Sequence, residues 1–172
     1  MKKSGISAPS YNPRTIHPAD QAKGDVAEGW FQDWLDKSQV AYIYLDQTPF
    51  SVPAHLRGQF KRPDYWVAVP TVGGIAFDVK AKSLYNGCFI FELDEIRRLR
   101  TFARMYSITV FFACLDAQGS QESYWVRLDQ FDSMMPVQRN GSMTFAIPAN
   151  EAQHVSMRQP FQDALSEALR LA

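Results

Sequence analysis

Residues 64 to 80 constrain this chain more than any other stretch. Asp64 to Val69 and Ile75 to Lys80 are rich in aromatic and β-branched side chains, and between them lie Pro70, Thr71, Val72, Gly73 and Gly74. Such runs, broken by a proline and paired glycines, predict an antiparallel hairpin, because glycine supplies the positive φ angles that a tight connection needs. Placing Val69 opposite Ile75 across the loop sets Asp64 against Lys80 and Trp66 against Asp78. Strand alternation then puts Asp78, Lys80 and Lys82 on one face. Aspartate is depleted in strands, and Asp78 sits between apolar Phe77 and Val79, so its position calls for a chemical reason.

The flanking sequence supplies layers for this hairpin to pack against. Pro18 is placed to open a helix in which Ala27, Trp30, Phe31, Trp34 and Leu35 recur at three-and-four spacing, ending near Ser38. Val40 to Leu45 reads as a strand, and 46 to 62, with Pro49, Pro53 and Gly58, as a loop. A second amphipathic helix runs from Asp94 through Ile96, Leu99, Phe102 and Tyr106, followed by Ile108 to Leu115, an apolar run that suits a strand buried on both faces. Weaker strands are expected at Ser123 to Leu128 and Ser142 to Ile147, and Pro160 opens a last helix. Helix, three strands, helix and strand in that order predict an α/β protein with a mixed sheet and helices on its faces. Residues 1–17 read as a flexible lead-in, and 18–172 as a single domain.

Composition narrows the chemistry. Lys plus Arg and Asp plus Glu are 18 each, so any contact with a polyanion must come from a local patch. Cys88 and Cys114 match neither a disulfide framework nor a zinc site and read as reduced core thiols. His17, His55 and His154 show no ligand spacing, and Gly73-Gly74 lacks the Lys-Ser or Lys-Thr of a phosphate loop. The N-terminus lacks the apolar run of a signal peptide and no stretch approaches a membrane span, so a cytoplasmic protein without membrane contact is expected.

Two aspartates converging within side-chain reach repel one another unless a cation lies between them, and hard oxygen donors suit Mg²⁺ or Mn²⁺. One oxygen from each of Asp64 and Asp78, with the Val79 carbonyl, would serve such an ion, and Lys80 would orient or deprotonate an attacking water and offset developing charge. Glu28, at three-and-seven spacing before Phe31 and Leu35, lies at the edge of the buried stripe of the first helix and can reach the same cluster. Lys61, Arg62 and Lys82 surround the hairpin, either as a basic rim for phosphates or as a solvated face. On this reading, replacing Asp78 by Asn in the absence of metal relieves repulsion and raises stability.

Pro63-Asp64, thirteen residues, then Asp78-Val79-Lys80 resembles the PD-(D/E)XK signature of the restriction-endonuclease-like nuclease superfamily. Lys23 to Glu28, opening on a first helix, and Phe91 to Ile96, leading into a helix and the strand around Val110 to Phe112, resemble archaeal Holliday-junction resolvases within it. The resemblance spans about residues 20–116. It implies a restriction-endonuclease-like mixed β-sheet flanked by helices, an αβββαβ core, here with a C-terminal extension. It implies metal-dependent endonuclease action on DNA, at branched or ended molecules, with Glu28, Asp64 and Asp78 as ligands and Lys80 as the catalytic lysine. A homodimer is compatible with it. The rival is a catalytically inactive module of the same fold that binds nucleic acid or protein.

Overall fold

The computed structural model describes residues 18–45, 53–71, 73–116 and 121–170. Helix α1, Pro18–Lys37, buries Ala27, Phe31, Trp34 and Leu35, the stripe its spacing predicts. Strands β1 (Tyr42–Tyr44), β2 (Tyr65–Val69) and β3 (Gly73–Ala81) follow, then β4 (Cys88–Glu92), α2 (Leu93–Tyr106) and β5 (Thr109–Leu115). Beyond them come β6 (Glu122–Arg127), β7 (Val137–Arg139), β8 (Ser142–Pro148), β9 (Gln153–Ser156) and α3 (Phe161–Arg170). The expected lead-in at 1–17 and part of the expected loop, 46–52, lie outside the described residues.

A six-stranded sheet has the order β1-β2-β3-β5-β6-β9, with β3 and β5 parallel and the other neighbours antiparallel. It is the mixed sheet flanked by helices that the sequence implies. The C-terminal extension completes it with β6 and β9 and adds a small sheet, β4-β8-β7, that the sequence did not suggest. Helices α1 and α3 cover one face through Phe31, Trp34, Phe161 and Leu165, packed on Phe77, Phe111 and Trp125. Helix α2 and the small sheet cover the other through Ile96, Leu99, Phe91 and Phe145, packed on Ala76, Val110, Phe112 and Val126. Ser38 fastens α1 to α3, its hydroxyl accepting the Phe161 backbone N–H at 2.9 Å and satisfying a donor at the start of α3. No helix among the described residues is long and apolar enough to cross a membrane.

The hairpin register differs from the expected one. Tyr65 pairs with Phe77, Trp66 with Ala76 and Val69 with Gly73. Both glycines belong to β3, so the connection between Val69 and Gly73 is shorter than expected, with Thr71 carrying the left-handed φ of 64°. Gly74 is required because a Cβ there would lie 1.8 Å from Trp66 Nε1. The Asp64 N–H donates to the Phe77 carbonyl, so Asp64 lies beside the Phe77–Asp78 step and not opposite Lys80, and Trp66 does not face Asp78. The slip is two residues, so each side chain keeps its predicted face.

Candidate functional site

The site forms where β2 begins and β3 runs on past it. Phe77 and Val79 pack into the α1 layer, so alternation turns Asp78 and Lys80 toward α2. Asp78 is fully buried and Asp64 is 5% exposed. Asp64 Oδ2 accepts the Val79 backbone N–H at 2.7 Å, and the Asp64 N–H donates to the Phe77 carbonyl at 2.9 Å. Both β3 residues therefore turn their backbone polar groups toward β2, and those of Val79 look past its end. Burial, then the neighbouring Asp78, pushes the Asp64 carboxyl up to about 7, against the pull of Lys80 and Lys61.

Asp78 lies between two ammoniums. Lys61 Nζ is 2.6 Å from Oδ1 and Lys80 Nζ is 2.5 Å from Oδ2. Both lysines also reach Glu95 Oε1, Lys61 at 2.8 Å and Lys80 at 2.9 Å, closing a ring of four alternating charges. Burial works against both ionised partners in this ring, but the opposite charges win. Asp78, Glu95 and Asp64 hold the Lys80 ammonium well above its usual pKa, and Lys80 and Lys61 hold the Glu95 carboxyl well below its own. Glu95 lies in the first turn of α2, where the helix dipole also favours an anion.

Sequence reasoning missed Glu95 altogether. The signal available was its position four before Leu99 and seven before Phe102, the edge of the buried stripe of α2. The expected relief from neutralising Asp78 is also corrected: two ammoniums share this carboxylate, so its removal strands charge.

The structure brings together Asp64, Asp78, the Val79 backbone and Lys80. Glu28 stands at the border, half-buried on α1, with Oε2 accepting the Tyr44 hydroxyl at 3.2 Å. Burial raises its carboxyl pKa, while Tyr44 and Lys80 oppose the shift. Of the expected basic rim, Lys61 is drawn into the ring. Lys82 donates to the Ile90 carbonyl and lies 4.7 Å above the Phe91 ring, with burial lowering its pKa. Arg62 is half-buried.

Among the described residues, no three Asp, Glu, His or Cys side chains form a preassembled ligand set. One observation nevertheless fits a divalent cation: Asp64 and Asp78 are buried at the same end of the hairpin, and burial together with Asp78 penalises ionisation of Asp64, a penalty that a cation would reduce. Mg²⁺ commonly takes one or two carboxylates and keeps several waters, so the missing third acid does not disqualify the site.

No protein-family model matches the chain and no curated protein matches it. Among solved structures, the 1.6 Å structure of Hjc, a Holliday junction resolvase from the archaeal hyperthermophile Archaeoglobus fulgidus, is similar with 18% identity and a TM-score of 0.48. The likeness covers 71% of this chain and 87% of that one. So loose a superposition leaves the site to be read from its own side chains.

Proposed function

We propose that this chain is a Mg²⁺- or Mn²⁺-dependent nuclease that hydrolyses DNA phosphodiester bonds, branched or ended DNA being the substrates the PD-(D/E)XK resemblance suggests. The observation that carries the proposal is the fully buried Asp78 in mid-strand, with Lys80 2.5 Å away and Asp64 at the same end of the hairpin. Burying a carboxylate costs several kcal/mol unless it is compensated, so a stability-driven sequence has little reason to place two there.

Asp64 and Asp78, with the Val79 carbonyl, would hold the ion, and Glu28 would join them on leaving Tyr44. The ion supplies Lewis-acid charge at the scissile phosphodiester. Lys80 is held by its strand, by Asp78 and by Glu95, and its ammonium donates to the oxygens on which charge develops. Asp64 accepts from Val79 N–H and so keeps the start of β2 against β3, which fixes the spacing of the two acids.

The closed ring of Lys61, Asp78, Lys80 and Glu95 favours one other reading. A site that neutralises itself suits a module of this fold that binds nucleic acid or protein without cutting. Incubating linear, nicked and four-way DNA with the protein in Mg²⁺, Mn²⁺ or chelator separates the two. Cleavage that needs metal and is lost in Lys80→Ala, while Mn²⁺ binding persists, supports the nuclease. DNA left intact under every metal condition refutes it.

A further inference from the structure

We propose that Lys61 is the site's own counter-ion, an ammonium that holds the place on Asp78 which a divalent cation must take, and that Glu95 retains it when the cation arrives. This rests on the metal-site reading above and adds a residue outside the signature that carries it. Both oxygens of Asp78 face ammoniums, Oδ1 that of Lys61 and Oδ2 that of Lys80. A cation can ligate Asp78 only by displacing one of them.

The backbone decides which one yields. Lys80 is a strand residue of β3, two positions from Asp78 and paired with Cys114 of β5, so its backbone is held in the sheet beside that acid. Lys61 belongs to irregular chain before β2, and its backbone N–H donates to the Arg98 carbonyl of α2 at 3.2 Å. Its main chain is tethered while its side chain spans the gap to β3 and remains 21% exposed. Lys80 rises from the same face of β3 two residues from Asp78, so its ammonium stays near that acid, whereas Lys61 reaches in from a separate segment and can swing away at the cost of rotamer freedom alone.

Glu95 makes the exchange possible. Lys61 Nζ already touches Glu95 Oε1 at 2.8 Å, so losing Asp78 leaves one of its two acid partners in place. Glu95 is 20% exposed whereas Asp78 is fully buried, so the retained pair is the better solvated of the two. The exchange replaces a single charge by a double one beside Asp64 and Asp78. Lys61 is therefore a positioning residue. It keeps the acids gathered without metal, and its displacement sets part of the metal affinity.

Two measurements test this on the full chain. In the parent protein, amine acylation of each lysine is read by peptide mass spectrometry in chelator and in Ca²⁺, with exposed Lys23 on α1 as the reference. Lys61 labelling should rise about threefold with Ca²⁺ as one of its two acid contacts is lost, while Lys23 stays constant. Next, Mn²⁺ binding is measured by electron paramagnetic resonance for the parent, Lys61→Met and Lys61→Arg. Lys61→Met should bind about tenfold tighter because its competitor is gone, and Lys61→Arg should not tighten.

Unchanged Lys61 labelling while the parent binds the ion, or no tightening in Lys61→Met, overturns the counter-ion role and leaves the metal site standing. Mn²⁺ binding by Lys61→Met but not by the parent supports the counter-ion role while removing the parent as a metal nuclease. Failure of all three proteins to bind Mn²⁺ overturns both.

Discussion

Asp64→Asn should make the metal-free protein more stable at about pH 8, an unusual outcome for a change at a buried polar residue. The Asp64 carboxyl is raised from 3.8 to about 7, chiefly by burial and then by Asp78. A shift of about three units corresponds to about 4 kcal/mol that the folded state loses when Asp64 ionises. The sign follows from proton linkage. The folded chain holds this proton more tightly than the unfolded chain, so folding takes up a proton between about pH 4 and 7 and stability falls as pH rises through that window. Above it, the parent carries the whole penalty.

Asparagine removes the penalty and keeps an oxygen able to accept the Val79 N–H now bonded to Asp64 at 2.7 Å. Its amide N–H₂ can in turn donate to nearby acids. Allowing about half the nominal gain for imperfect fit leaves about 2 kcal/mol, or about 4 to 8 °C in Tm for a domain of this size. Melting curves in chelator at about pH 8, 6 and 4 measure it, with the two proteins converging toward the acidic end. Millimolar Mg²⁺ should then raise the parent by mass action and barely move the variant. An Asn variant that melts below the parent at the alkaline end in chelator refutes the reasoning, because Asp64 would then be held ionised by partners it needs.

Asp78→Asn should do the opposite in chelator, lowering stability by about 3 kcal/mol, because Lys61 and Lys80 lose the carboxylate they share; urea titration reads the loss. Lys80→Ala should cut DNA cleavage far more than about tenfold while Mn²⁺ binding stays measurable. Glu28→Gln should weaken Mn²⁺ binding less than Asp78→Asn, since Glu28 stands at the border on Tyr44; calorimetric titration ranks the two, and equal losses would move Glu28 to the centre. Gly74→Ala should cost about 1 to 3 kcal/mol, because its Cβ would collide with the Trp66 indole; an unchanged Tm would mean the indole moves aside freely.

The parts of the fold that were legible in the sequence are those with strong period. The stripe of α1, the near-continuous apolar run of β5 and the alternation of β2 and β3 each carry enough repeats to fix type and facing. The hairpin loop was read as five residues where a shorter connection suffices, because the need for glycine at position 74 comes from the indole of Trp66 across the strands and not from the turn. Strands β7 and β9 span three and four residues, too short for alternation to show. Cys88 to Glu92 also runs straight into α2, so its apolar residues read as the approach to a helix.

The site was half legible for a related reason. Asp78 stood out because aspartate is out of place in an apolar strand, whereas Glu95 looked ordinary, since acids in the first turn of a helix complement its dipole. Charge type alone cannot separate a solvated acid at a helix start from one pressed inward. Position on the helix can: Glu95 shares an edge with Leu99 and Phe102, both buried, while Asp94 next to it is exposed. A carboxylate carried inward on an apolar stripe must find a cation, and Lys61 and Lys80 converge where that stripe meets β3. Lys61 was read as a member of a basic rim, and the fold turns it inward because the sheet beneath it holds a buried acid.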